Sequence, residues 1–346
     1  MIDRLTLCSS ASVNPYWNLA LEERLFHQAG EGECILYLWQ NERTVVLGRN
    51  QNARAQCRVE LLEEEGGRLA RRLSGGGAVF HDLGNLNFTF LVKKPDYDLA
   101  RQLRVIGEAA ASFGISTEIS GRNDLLAQGR KFSGNAFYRQ GERQYHHGTV
   151  LIAADMELLG RYLTPDASKL RAKGVDSVRA RVTNLQSLCP SITVSGFREA
   201  MKTAFEKVYG LKSEILLPPP KEALAEDEAR YASFAWLFGQ ERAYTLTTPS
   251  LRFGWGSAQW ALEIEKGIVK EARLYTDGMN PELSPVAQKA VEGLPFTRKA
   301  LSAALARAAR EESGLEDQLT DLLAVLDAFE NFEEQGGTEP WKPAMT

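Results

Sequence analysis

The chain has 346 residues, 44% hydrophobic and 25% charged, which excludes wholesale disorder and leaves room for roughly two globular domains. Its formal net charge is −4, so a strongly basic polyanion binder is excluded. The charge is uneven, with ten acids and one base between Glu311 and Thr346. An anionic partner should therefore meet the body of the chain rather than its tail.

The start, MIDRLTLCSSASVNP, lacks the basic-then-apolar layout of a secretory signal. No run of about 18 apolar residues suggests a membrane span. The four cysteines, Cys8, Cys34, Cys57 and Cys189, include no C-x-x-C pair, and a chain of this size needs no disulfide frame. A soluble cytoplasmic protein is expected.

In chain order, residues 14–28 read as a helix with Leu21, Leu25 and Phe26 on one face. Two β-rich runs follow, 34–40 and 44–50, at a hairpin-like spacing. A short acidic helix fits 58–65. The run NLNFTFLV (85–92) alternates, with Leu86, Phe88, Phe90 and Val92 on one side, as a half-buried strand does. Residues 98–114 form a helix stopped by Gly114. Strand-like pieces and glycine turns fill 115–152. Helices are expected at 155–163, at 195–209 with Ser195 as N-cap, and at 220–237. After strand-like 245–250, residues 259–277 read as a hairpin turning at Lys266-Gly267. Amphipathic helices at 297–310 and 315–329 close the chain. The fold class is α+β, with mixed sheets flanked by helices, split near 245. Residues 1–245 read as a large mixed α+β domain, which holds the glycine-rich segments, and residues 246–346 as a small α+β domain.

Two segments carry chemistry. In RRLSGGGAVFHDLGN (71–85), three glycines let backbone approach a ligand and turn N–H groups toward a phosphate or carboxylate. Arg71 and Arg72 stand beside them as bidentate phosphate binders. The block reads equally as a Gly-rich hairpin with two solvated arginines. It matches neither the dinucleotide-binding nor the P-loop spacing. In the segment 121–152, Lys131 lies in a Gly/Ser-rich context beside Phe132, either as an electrostatic clamp or as an exposed hairpin lysine. His146 and His147, adjacent on a strand, point to opposite faces and are poorly placed to share a metal ion. No G-x-S-x-G elbow is present, and Cys189 reads as a buried structural thiol.

Taken together, RRLSGGGAVFHDLGN, GRNDLL, GRKFSGNAF and HHGTVLI resemble the lipoate–protein ligase A family. The likeness extends to NPYWNLALEE (14–23), LRAKGVDSVRARVTNL (170–185) and LRFGWGS (251–257), and so covers nearly the whole chain. One departure is a short connection, LLAQGRK, between GRND and the lysine. The resemblance implies a biotin/lipoate ligase-type catalytic domain with an accessory domain. It implies a two-step reaction in which lipoate and ATP, with Mg²⁺, give lipoyl-AMP and pyrophosphate. The lipoyl group then passes to a lysine of an acceptor. Acceptors are the lipoyl domains of 2-oxoacid dehydrogenase complexes and the glycine-cleavage H protein; nucleic acid and membrane are not expected partners. No tightly bound prosthetic group is implied. Carried over by motif, Lys131 is the catalytic lysine, contacting the acyl carbonyl and the α-phosphate. Arg72, Gly77, Ala78, Val79, Phe80, Asn123 and Asp124 hold ATP and the adenylate. Ser74, Gly76, His81 and Gly148 line the lipoate site, and metal ligands stay open. Loops 121–145 and 165–182 are the natural lids. The alternative within the superfamily is a lipoyl- or octanoyltransferase, using preformed lipoyl-AMP or a carrier thioester, the latter commonly through a cysteine. No cysteine lies in the motif blocks.

Overall fold

The computed structural model describes residues 1–120, 124–164, 182–239 and 243–328. Asn123, most of the 165–182 lid and the end of the acidic tail lie outside the described residues. The chain divides into two compact units. The first comprises Met1–Leu47, Arg54–Arg72 and Ala78–Leu237. The second comprises Gly48–Ala53, Leu73–Gly77 and the described part of Phe238–Thr346.

The strands and helices in chain order are β1 (Arg4–Ser9), α1 (Pro15–Gln28), β2 (Glu33–Trp39), β3 (Thr44–Leu47), α2 (Ala53–Gln56), α3 (Val59–Glu64), β4 (Arg68–Arg71), β5 (Val79–His81) and β6 (Asn85–Lys93). They continue with α4 (Leu99–Ala111), β7 (Glu118–Ser120), β8 (Asp124–Ala127), β9 (Arg130–Gln140), β10 (Arg143–Leu151), α5 (Met156–Tyr162), α6 (Val194–Tyr209), β11 (Ser213–Leu216), α7 (Ala225–Ala232) and α8 (Phe234–Phe238). The second unit holds β12 (Leu246–Thr247), β13 (Leu251–Phe253), β14 (Gly256–Glu265), β15 (Ile268–Thr276), α9 (Leu283–Val291), α10 (Arg298–Glu311) and α11 (Glu316–Asp327).

An eight-stranded mixed sheet in the order β11-β1-β2-β6-β10-β9-β8-β7 dominates the first unit. Helices α4 and α6 pack on one face through Leu103, Ile106, Phe197 and Phe205, against Leu36, Phe88 and Phe90. Helix α1 covers the other face with Trp17, Leu21, Leu25 and Phe26, against Ile35, Tyr37, Leu91 and Tyr145. Asn14 caps α1, its Oδ1 accepting from the Tyr16 N–H, and Pro15 supplies a first helical position that needs no donor. A second sheet, β4-β3-β5, joins the α1 layer through Val46, Ala70 and Val79.

Several expectations change. The runs at 34–40 and 44–50 do not form a hairpin, because β2 pairs with β1 and β6 while β3 founds the smaller sheet. All seven residues of β2 are buried, so it needs neighbours on both edges and cover on both faces. Strand β6 is likewise buried along Asn85–Val92, not half-exposed. Its alternation separates an apolar side from a buried polar side of Asn85, Asn87 and Thr89. Thr193, not Ser195, caps α6, since its Oγ1 is the group that reaches the Gly196 N–H. Cys189 is only partly buried. The 220–237 helix breaks at Ser233 into α7 and α8.

The second unit has β14 between β12 and β13 on one side and β15 on the other. The β14–β15 turn falls at Lys266 and Gly267, both with positive φ (52° and 75°), as a tight two-residue hairpin requires. Trp260, Leu262 and Leu274 pack against Leu301, Leu305, Leu319 and Leu322 of the two closing helices.

Candidate functional site

The register of the large sheet sorts side chains into two faces. On the α1 face, Tyr37, Thr89, His147 and Ala136 align across four strands, and the next row is Trp39, Asn87, Thr149 and Gly134. On the opposite face the rows are Leu38, Phe88, Gly148, Asn135 and Leu36, Phe90, His146, Phe137. The α1 face carries Thr89, Asn87, Thr149 and His147, while the other is apolar except at Asn135 and His146.

That polarity is organised around Glu22 of α1. Its Oε1 accepts from Thr89 Oγ1 at 2.6 Å and from His147 Nδ1 at 2.8 Å, and Trp39 Nε1 donates to Thr89 Oγ1 at 3.2 Å. Glu22 is 2% exposed, so this carboxylate is held entirely by protein donors. Arg72 lies within electrostatic reach of Glu22 and Tyr145, and its guanidinium donates to the Val46 carbonyl. Burial lowers Arg72 to about 10, which leaves it charged near neutrality. Both Arg71 and Arg72 are buried, which removes the reading of a hairpin with two solvated arginines.

His81, ending β5, is buried, and burial with Arg72 nearby pulls it down to about 3. The Asn41 side chain donates to Nδ1 at 3.2 Å, which leaves the hydrogen on Nε2. That Nε2–H, the Asn87 amide nitrogen and the Tyr145 hydroxyl have no hydrogen-bond partner among the described residues. Asn87 and Tyr145 lie on the α1 face and His81 reaches it from the smaller sheet, edge-on to Trp39; buried donors without partners mark a polar ligand site.

Lys131 reaches the same face by a register shift. Leu126 pairs with Lys131 while Leu125 pairs with Ser133, so Phe132 is an extra residue, a β-bulge on β9. Phe132 turns into the α4/α6 core and is fully buried. Lys131 is thereby re-aimed over Gly134 on the α1 face, where its Nζ pairs with Asp124 Oδ1 at 2.7 Å. The ammonium is 37% exposed, accessible enough to exchange partners. The expected Gly/Ser turn lies earlier, at Gln128-Gly129, and Lys131 sits on the strand itself.

The structure thus unites Lys131 with Asp124 over Gly134, and Arg72 with His81. Ala78, Val79 and Phe80 lead into His81 along β5. Gly148 contributes only backbone to the α1 face, since a Cβ there would meet Phe88 and Asn135 on the other side. Ser74, Gly76 and Gly77 belong to the second unit. There Gly76, at φ 91°, donates its N–H to the Gly278 carbonyl at 3.0 Å, so that donor of the glycine block is engaged. A cavity of about 250 Å³ is lined by Arg130, Met156, Thr183 and Asn184 and not by Lys131, whose carbonyl accepts from the Thr183 N–H. Sequence reasoning missed Glu22, Thr89, Trp39, Asn87 and Tyr145. The polar half of NLNFTF was the available signal.

Among the described residues no group of three or more His, Cys, Asp or Glu side chains could hold a metal ion. None of their helices is long and apolar enough to cross a membrane.

Comparison with known families gives two matches. Residues 14–206 match the lipoyl protein ligase A/B catalytic domain, and residues 247–326 match the bacterial lipoate protein ligase C-terminus. Among solved structures, P. falciparum LipL1 in complex with lipoate is 24% identical, with a TM-score of 0.80 over 92% of this chain and 98% of that one. A bipartite lipoate protein ligase from Thermoplasma acidophilum, studied with its E2 lipoyl domain, is 25% identical, with a TM-score of 0.61 over 71% of this chain and 100% of that one. A lipoate-protein ligase A bound with ATP is 24% identical, with a TM-score of 0.60 over 70% of this chain and 100% of that one. The chain belongs to the lipoyl protein ligase A/B catalytic domain family and carries that family's C-terminal domain.

Proposed function

We propose that the protein is an ATP-dependent lipoate–protein ligase. It activates lipoate to lipoyl-AMP and transfers the lipoyl group to a lysine of acceptor lipoyl domains or H protein. The observation that carries the reading is Lys131, a half-exposed ammonium on the same sheet face as the buried donors of Asn87 and Tyr145, with His81 of the smaller sheet edge-on to Trp39 of that face.

In the first step a carboxylate oxygen of lipoate bonds to the α-phosphorus, and the bond to the β-phosphate oxygen breaks, releasing pyrophosphate. Two anions must approach, and charge builds on the phosphoryl oxygens. Lys131 exchanges Asp124 for the acyl oxygen and the α-phosphate, supplying fixed positive charge where it develops; losing such a donor typically costs about 2.7–4 kcal/mol. Arg72 and the backbone of 77–80 hold the nucleotide, Ser74, Gly76, His81 and Gly148 line the acyl site, and Asn123 and Asp124 orient the adenylate. Mg²⁺ would be held chiefly by the nucleotide's phosphates with Asp124 as the protein carboxylate in reach, and it would neutralise phosphate charge. In the second step the acceptor amine attacks the acyl carbon, AMP leaves, and the amine loses its proton. The adenylate hydrolyses readily, so the buried α1 face must shield it. Residues 246–346 would act as an accessory domain on closure or acceptor access, and the proposed compartment is the cytoplasm.

The test is lipoate-dependent exchange of label between pyrophosphate and ATP. Exchange supports a ligase. Its absence, with transfer retained from lipoyl-AMP or a carrier thioester, would identify a transferase instead.

A further inference from the structure

His146 is the member of the histidine pair that the reaction does not touch, yet it is the more completely enclosed. It is 0% exposed, lies between Phe90 and Phe137 with ring centroids 5.9 and 5.3 Å away, and meets Phe88 edge-on. Both ring nitrogens are engaged. Nε2 lies 2.9 Å from Asn135 Oδ1, and Nδ1 lies 3.0 Å from Oε1 of Gln102, itself 0% exposed on α4. A neutral imidazole donates from one nitrogen only. Nε2–H therefore donates to Asn135 Oδ1, and Nδ1 accepts once the Gln102 amide is turned about its terminal bond, which brings the otherwise unpartnered Gln102 Nε2 into the place of Oε1. Burial holds His146 neutral, down to about 3.

This polar triad sits in the most apolar layer of the molecule, where Gln102 stands among Leu103, Val105 and Ile106. An apolar trio would suit that layer equally well for stability. What polar groups add in such a place is uniqueness of register. The triad ties α4 through β10 to Asn135, two residues after the last residue that β9 pairs with β10, Ser133. Beyond Ser133, β9 leaves β10 and pairs with β8, with one bridge from Lys131 to Val182, and the next two residues are the bulged Phe132 and Lys131. With Ser133–Gln140 fixed against β10, the extra residue must be accommodated at Phe132. Without the bulge, Lys131 would share the face of Ser133 and Asn135 and point into the α4/α6 core.

We propose that Gln102, His146 and Asn135 form a buried register lock that holds the bulge at Phe132 and thereby keeps Lys131 on the α1 face. His146 is a positioning residue acting through Asn135. The proposal rests on the ligase reading for its activity readout and on geometry alone for a second readout.

The experiment compares the full-length protein with His146→Phe, with His146→Gln, and with the triple variant Gln102→Met, His146→Phe, Asn135→Leu. The triple variant replaces the whole triad with apolar groups of similar volume, so thermal stability stays near or above the parent's. Pyrophosphate exchange is expected to lose kcat by about tenfold or more in His146→Phe and in the triple variant, with KM for lipoate little changed. His146→Gln, which can still donate to Asn135, recovers most of that loss. In parallel, acetylation of Lys131 by an N-hydroxysuccinimide ester is read by mass spectrometry, with exposed Lys266 as internal control. The Lys131 rate shifts in His146→Phe and the triple variant and returns in His146→Gln, while Lys266 is unchanged. Should His146→Phe fail to fold, the triple variant decides. A folded triple variant with parental kcat, or with unaltered Lys131 labelling, overturns the lock. If the parent protein shows no exchange at all, the ligase reading falls, and the labelling result still decides the lock.

Discussion

Lys131 and Gly134 stand three residues apart on one strand and meet as side chain against bare backbone. A Cβ on Gly134 would lie 2.9 Å from both Cε and Nζ of the lysine. The glycine is the floor on which the ammonium rests.

Gly134→Ala should therefore leave folding nearly intact, because a flexible side chain can move aside, while displacing the charge that the reaction needs. The expected result is a fall in exchange kcat of about tenfold, equivalent to about 1.4 kcal/mol, with a melting temperature close to the parent's. Parental kcat would show that Lys131 does not need this position.

Replacing the lysine itself is more severe. Lys131→Ala should lower adenylate formation by about a hundredfold or more, and transfer from synthetic lipoyl-AMP should fall with it. Lys131→Arg should also be poor, since a planar guanidinium does not reproduce a compact ammonium above Gly134. Robust adenylate formation by the alanine variant would remove Lys131 from the chemistry.

Glu22→Gln tests the polar α1 face. The substitution keeps shape but turns an acceptor from Thr89 and His147 into a donor, and it removes the negative charge nearest Arg72 in the buried layer. A loss of about 1–3 kcal/mol in unfolding free energy is expected, read by urea denaturation, together with a raised KM for lipoate. An unchanged midpoint would mean that Thr89 and His147 do not depend on Glu22 for their place.

His81 and His146 make a pH prediction. Burial lowers both to about 3 from the ordinary 6.5. Between those values the unfolded chain binds protons that the folded chain refuses, so stability falls as pH drops below 6.5. Each histidine contributes a slope approaching about 1.4 kcal/mol per pH unit. Denaturation series between pH 6.5 and 5 should show this decline, shallower by one histidine in His146→Phe. An identical slope in that variant would contradict the neutral, buried imidazole.

The cysteines separate adenylate from thioester chemistry. Cys8, Cys34 and Cys57 are buried, and desolvation lifts each thiol to about 12. None is a thiolate near neutral pH. Replacing the four cysteines by alanine or serine should leave ligation within a few-fold of the parent's. A hydroxylamine-sensitive acyl-enzyme that disappears with one cysteine would favour the transferase.

Much of this architecture is legible in the residues. The opposed directions of His146 and His147 follow from strand alternation alone, and the Lys266-Gly267 turn follows from the residues that tolerate positive φ. What escaped was anything that depends on the far side of a layer. Asn87 and Thr89 read as solvent-facing because alternation cannot tell water from a buried polar face. The bulge at Phe132 left no trace, since one residue too many in a strand looks like an ordinary strand until its partner is placed. Glu22 is one of two adjacent glutamates, and only the fold distinguishes it from Glu23, which pairs with Arg230 outside.

Strand β11 closes one edge of the large sheet, pairing with β1 on one side only. Ile215 on this strand and Leu217 just past its end are 66% and 77% exposed, and among the described residues the outer edge pairs with no strand, an edge of the kind that recruits strands from other molecules. The chain runs directly from this ribbon into Pro218, Pro219 and Pro220. Three successive residues without an N–H cannot extend a hydrogen-bonded ladder. The proline triplet is thus a molecular full stop, limiting the sticky edge to four residues and protecting a crowded solution of this protein from coalescing strand by strand.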